Sequence, residues 1–98
     1  MKFGLADNDL QIIKEVFSKF PEIKEIIVFG SRAMGNYKNG SDVDIVVKGE
    51  HVTSDILSKI QTALNQETTL PYFFDVIHFD EITNIDLLAH IQEHGINL

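Results

Sequence analysis

The sequence predicts an α/β (or α+β) domain, a small mixed sheet of about three to four strands covered by helices. Two patterns carry that expectation. Stretches with helical spacing of apolar residues alternate with short β-branched runs, and a glycine closes each of the first two runs. The chain has 98 residues, 44% of them hydrophobic and 23% charged, enough for one modest core and one domain over residues 1–98.

Asp7-Asn8-Asp9 offers helix N-caps, and Leu10, Ile13, Phe17 and Phe20 then recur at helical spacing until Pro21 stops the helix. Glu25 to Phe29 reads as a buried strand closed by Gly30. Residues 31–41 are polar and carry Gly35, Asn39 and Gly40, which predicts a loop with one helical turn at its start. Asp42 to Lys48 is a second strand, ending at Gly49. Ser54 caps a helix bearing Ile56, Leu57, Ile60, Ala63 and Leu64. A third strand follows Pro71, from Tyr72 to Phe79. The last helix runs from about Asn84 to His94 with Ile85, Leu88 and Ile91 on one face and Gly95 as its C′ residue. The strand–helix–strand connection in the middle is a right-handed crossover if its strands are parallel.

Charge and composition narrow the function. Eight Lys and Arg against fifteen Asp and Glu give −7, with the basic residues scattered. A protein that binds bulk nucleic acid presents a basic face to the phosphates, and this sequence has none. An acidic protein can still handle a single nucleotide if a divalent metal supplies positive charge. There is no cysteine, hence no disulfide and no thiolate metal site. No apolar run approaches the ~18 residues of a membrane helix, and Met1-Lys2-Phe3-Gly4 lacks a secretion signal. A soluble, cytoplasmic protein with no membrane partner is expected.

The chemistry concentrates between Gly30 and Asp44. On a strand, residues two apart share a face with Cα atoms roughly 6.5 Å apart, so Asp42 and Asp44 would repel. The apolar Ile45-Val46-Val47 that follows makes the pair costlier, and a hard cation such as Mg²⁺, which takes carboxylate oxygens and keeps sites for water and phosphate, removes the cost. The alternative is a pair of strand-start aspartates facing solvent. Gly30-Ser31, directly after a buried strand, allows a close backbone or phosphate approach, and a helical turn starting at Ser31 would aim its N–H groups at one point. Taken alone, Gly-Ser is a plain turn with a serine cap. Asp75 interrupts an apolar strand, where an unpaired charge is expensive. It is expected to be buried, as a third ligand and proton acceptor; otherwise it is an edge-strand aspartate reaching water.

Gly30-Ser31, ten intervening residues, Asp42-Val43-Asp44 and then Asp75 on a later strand resemble the nucleotidyltransferase superfamily of DNA polymerase beta and kanamycin nucleotidyltransferase. The short chain, the Gly-Ser-Arg-Ala start and Phe74-Asp75-Val76-Ile77 before a final helix are similar to its minimal nucleotidyltransferases, called MNT proteins. The resemblance implies the polymerase-beta-like fold. It also implies that Gly30 and Ser31 hold the β- and γ-phosphates of a nucleoside triphosphate, ATP first among candidates. Asp42 and Asp44 would bind two Mg²⁺ ions, which Mn²⁺ can replace, and Asp75 would ligate the one that activates an acceptor hydroxyl. Such a two-metal site steadies the attacking and leaving oxygens of an in-line displacement. Arg32 either touches phosphate or makes a surface salt bridge; Lys38 is a weaker candidate. Minimal members resemble half of a pair whose other member is an all-helical HEPN protein, in some pairs a toxin that the nucleotidyltransferase adenylylates on tyrosine. A thin domain of this length has little surface to align an acceptor, so activity is expected to need such a partner or a second copy. The competing reading is a non-catalytic protein of the same fold that sequesters a helical partner.

Other patterns carry less. Gly30-x-x-x-x-Gly35 begins like a P-loop but continues Asn36-Tyr37 where Lys-Ser/Thr is required. His90-x-x-Glu93-His94 matches an inverted zinc-protease pattern, but no third ligand type follows it, and histidines suit a helix C-terminus. His78 reads as a packed or half-exposed strand residue rather than a ligand, and Asn39-Gly40-Ser41 as a turn. Phe17, Phe20, Phe29, Phe73, Phe74 and Phe79 read as core rather than as a stacking platform.

Overall fold

In a computed structural model, which describes residues 2–38 and 40–98, the elements follow one another as α1 (Asp7–Ser18), β1 (Glu25–Phe29), α2 (Ser31–Met34), β2 (Val43–Lys48), α3 (Ser54–Gln66), β3 (Phe74–His78), α4 (Ile85–His94) and β4 (Ile96–Asn97). A 3₁₀ turn, Phe79–Glu81, links β3 to α4. The strands form one mixed sheet in the order β3-β2-β1-β4. β1 is antiparallel to β2 and to β4, while β2 and β3 are parallel and joined through α3.

Strand alternation divides the sheet into two unlike faces. Val28, Val43, Ile45, Val47, Phe74 and Val76 point to one side and bury against Leu10, Ile13, Val16 and Phe17 of α1 and Ile60 and Leu64 of α3. The other side carries Ile27, Phe29 and Val46, covered by Ile91 of α4 with Leu87 and Ile77 packed around them. On that second face the register places Phe29 opposite Asp44, and Asp44 opposite Asp75.

Several boundaries differ from the sequence expectation. Ala6 rather than Asp7, Asn8 or Asp9 is the α1 N-cap, without a side-chain cap; Asp7 and Asp9 fall in the first turn, where carboxylates suit the helix dipole. α1 ends at Ser18, so Phe20 packs from the turn before Pro21. Thr53, not Ser54, caps α3, its Oγ1 accepting the Ile56 N–H at 3.2 Å. β3 is shorter than expected, and Phe73 just ahead of it is exposed rather than core. Asn39 lies outside the described residues.

The α4 stripe is also corrected. Ile85 is 79% exposed, while Leu88 and Ile91 are covered as expected; the covered stripe is Leu87, His90, Ile91 and His94, spaced i, i+3, i+4, i+7, with Leu88 half-buried at its side. Asn84 caps this helix, its side chain accepting the Leu87 N–H. Gly95 follows with extended geometry, φ −64° and ψ 139°, instead of the left-handed C′ conformation. A Cβ there would overlap the Ile91 carbonyl and crowd Ile27, so close packing demands the glycine. The chain then runs straight into β4, too short to register as a periodic pattern.

The outer edge of β3 is finished by side chains. Asn65 of α3 donates to the Phe74 carbonyl at 3.0 Å and accepts the Phe74 N–H at 2.7 Å. Gln61 also donates to the Phe74 carbonyl and accepts the Val76 N–H at 2.8 Å. Two amides thus stand where a fifth strand would. No helix among the described residues is long and apolar enough to cross a membrane.

Candidate active site

β1 leaves the sheet at Gly30, which adopts φ 74° and ψ −155°, a region open essentially to glycine alone. A Cβ at this position would overlap Oδ2 of Asp44. The turn after β1 and the aspartate of β2 are therefore packed against each other, as the sequence spacing predicts. The helical turn also forms: α2 starts at Ser31, with the Met34 N–H bonded to the Gly30 carbonyl at 3.1 Å. The N–H groups ahead of that bond have no partner within the helix.

The three aspartates differ in setting. Asp42 precedes β2 and is exposed, Asp44 is half-buried, and Asp75 is exposed. The expected burial of Asp75 does not hold, because β3 is an edge strand and α4 covers the middle of this face. Its expected neighbour does hold, since it pairs in register with Asp44. The Asp44 carboxyl is pushed above its ordinary pKa by burial first, then by the charges of Asp75 and Asp42, with His90 opposing. A carboxylate whose proton affinity is raised by the like charges beside it belongs to a donor set suited to a hard cation. Among the described residues, no three His, Asp or Glu side chains stand close enough to make a ready cage.

Arg32 does not make the surface salt bridge that is one of the two places the sequence leaves open: it is 3% exposed and forms none among the described residues. Its Nε and Nη2 donate to the Ser41 carbonyl at 3.1 and 2.8 Å, and Nη1 donates to the Phe3 carbonyl at 2.9 Å. The rings of Tyr37 and Tyr72 flank it, each centroid 5.1 Å from Cζ. Lys38 is exposed, and its backbone N–H donates to Ser41 Oγ at 2.8 Å.

Sequence reasoning missed His90. Its Nε2 accepts the Gly30 N–H at 3.0 Å, and its ring meets Phe29 edge-on. The placement of His90 and His94 on the buried stripe of α4 is the signal that could have found it. His78, by contrast, is buried as expected and contacts the Gly49 carbonyl at 3.2 Å.

A glycine-serine turn packed on an aspartate of the next strand, in a mixed sheet of this order, is the architecture of a nucleotidyltransferase. The family model described as polymerase beta, nucleotidyltransferase, matches residues 11–98, and the chain belongs to that family. No curated protein sequence matches it. Among solved structures, a toxin-antitoxin with AMP-PNP is 22% identical with TM-score 0.72, covering 92% of this chain and 71% of that one. The toxin-antitoxin MntA-HepT is 20% identical with TM-score 0.64, covering 92% and 68%. A Sulfolobus solfataricus protein described as a nucleotidyltransferase is 20% identical with TM-score 0.54, covering 96% and 88%. The fold is shared with all three. The resemblance carried by Gly30-Ser31 and Asp42-Val43-Asp44 stands.

Proposed function

We propose that this nucleotidyltransferase transfers a nucleoside monophosphate, AMP from ATP, to an acceptor hydroxyl, and that it does so as the antitoxin of a two-protein system. The packing of Gly30 on Asp44, with Asp75 in register beside it, carries the reading. The AMP-PNP in one structural neighbour, and the toxin-antitoxin assemblies of that neighbour and a second, support the nucleotide and the setting.

Ser31 and the first N–H groups of α2, with Gly30, would hold the β- and γ-phosphates. Asp42, Asp44 and Asp75 would hold two Mg²⁺ ions, which supply Lewis-acid stabilisation of the reacting oxygens and lower the pKa of the attacking hydroxyl. Asp75, on the open side of the face, takes the proton of that hydroxyl. The hydroxyl oxygen bonds to the α-phosphorus, the bond from that phosphorus to the bridging oxygen breaks, and pyrophosphate leaves against the Gly30-Ser31 turn. Among the described residues this face is covered only in part, by α4 and by Phe79 and Ile82 at the 3₁₀ turn, so a helical partner of the HEPN type would align the acceptor, a contribution worth up to ~7–11 kcal/mol in favourable cases.

Transfer from α-labelled ATP to the product of the adjacent gene tests this. Asp44→Asn should reduce the rate by about 10³-fold or more, because a charge clamp worth several kcal/mol is lost. Unchanged transfer would remove Asp44 from the metal site. Tight partner binding without any binding of Mg²⁺ and ATP would instead favour a sequestering protein.

A further inference from the structure

We propose that Arg32 is a positioning residue that fixes Asp42 relative to Ser31. The inference rests on the nucleotidyltransfer reading and adds to it a residue outside the glycine, serine and aspartate positions.

Ser31 and Asp42 are separated by ten residues, of which Arg32 is the first and Ser41 the last. The fork from Nε and Nη2 of Arg32 onto the Ser41 carbonyl therefore closes the whole spacer into a ring at its two ends. The peptide that carries the phosphate-binding hydroxyl and the peptide that carries the first metal-binding carboxylate become neighbours through one side chain. Without it, their separation would depend on a polar loop with left-handed glycines at 35 and 40. A second turn inside the ring, with Ser41 N–H on the Lys38 carbonyl at 3.0 Å, keeps the Ser41 carbonyl pointed at the guanidinium.

The chemistry of the holder is specific. Among the described residues, the hydrogen bonds of this buried cation go to backbone carbonyls and to no carboxylate. Packing alone would be served better by an apolar side chain, since an unpaired buried charge is costly. A planar guanidinium offers what a lysine cannot: two parallel donors to one carbonyl, a third to Phe3, and flat faces for Tyr37 and Tyr72. The Phe3 contact also ties the start of the chain to the same ring.

Arg32→Lys keeps a cation between the two rings and removes the fork, so it is the informative variant. Its melting temperature should fall by several degrees with the fold retained, its KM for ATP measured below that temperature should stay within about threefold, and kcat should fall about 30- to 100-fold, as for a misplacement near 1 Å. Mn²⁺ affinity, read by electron paramagnetic resonance without nucleotide, should weaken in parallel. One glycine inserted after Asn36, inside the closed ring, should leave kcat within about threefold, because the ends stay fastened. Amide exchange at Ser41 and Asp42 should quicken in Arg32→Lys and stay unchanged in the insertion variant.

A kcat within twofold of wild type overturns the proposal. A rise in KM at unchanged kcat overturns it too, and makes Arg32 a phosphate contact. An insertion as damaging as Arg32→Lys shows that spacer length sets the geometry instead. Wild-type protein that binds neither Mn²⁺ nor ATP refutes the nucleotidyltransfer reading alone. Amide exchange then still decides whether Arg32 fixes Asp42, and unchanged exchange in Arg32→Lys refutes that.

Discussion

The two faces of the sheet are built to different standards. One is sealed by α1 and α3 over a continuous row of Val28, Val43, Ile45, Val47, Phe74 and Val76. The other is covered by α4 and the short 3₁₀ turn, and its row Phe29–Asp44–Asp75 passes from apolar to half-buried to exposed across three strands. Stability is concentrated on the first face, and the candidate chemistry sits on the second. Such a division lets carboxylates crowd together without dismantling the domain, because the cost falls on the side that contributes less burial.

The sharpest way to break the comparison is to damage the sealed face. Phe74 is fully buried, and Phe74→Ala should lose about 3–5 kcal/mol of stability by denaturant melts. A loss below 1 kcal/mol would show that α3 does not seal that side. A smaller effect, on the open face, is expected from Gly30→Ala. The backbone region it occupies costs a non-glycine residue about 1–3 kcal/mol, and the added methyl also displaces the Asp44 carboxylate, so transfer should fall with only a modest loss of stability.

The smallest effect sharpens the electrostatic side. Asp44 has a higher pKa folded than unfolded, so the native state binds the extra proton between those two values. Its contribution is therefore fully favourable below the ordinary carboxylate pKa. It declines as pH rises through the window up to the raised value and remains unfavourable above it. In EDTA near neutral pH, Asp44→Asn should melt a few degrees higher than wild type, about 0.5–1 kcal/mol at this chain length. Millimolar Mg²⁺ should raise the wild-type melting temperature by mass action and close that gap. Equal melting of the two proteins at every pH would show that the three aspartates do not share a field.

The legibility of the sequence followed the range of the interactions. β1 was readable to the residue because four consecutive apolar positions, Ile26 to Phe29, followed Glu25 and ended at a glycine. The Gly30–Asp44 contact was readable because a known spacing implied it. What failed depended on neighbours distant in sequence. Asp75 looked buried because its strand is apolar, yet strand order put β3 at the edge. Arg32 was read as a phosphate contact or a surface ion pair, and its burial went unforeseen because its acceptors are carbonyls, which leave no mark in a sequence. His90 was hidden by a competing motif, and by an α4 stripe read from Ile85 instead of Leu87.

The amides of Asn65 and Gln61 along β3 have a consequence for assembly. An exposed strand edge invites a strand from another chain, and that is one common way for proteins to join or to aggregate. Here the Phe74 and Val76 groups that would receive such a strand are already engaged by α3. A protein that reaches Asp75 is thereby steered to approach from above the sheet, side chain first, rather than by lengthening it. The same two residues that guard the sheet against uncontrolled growth leave the aspartate open to a hydroxyl offered from that direction.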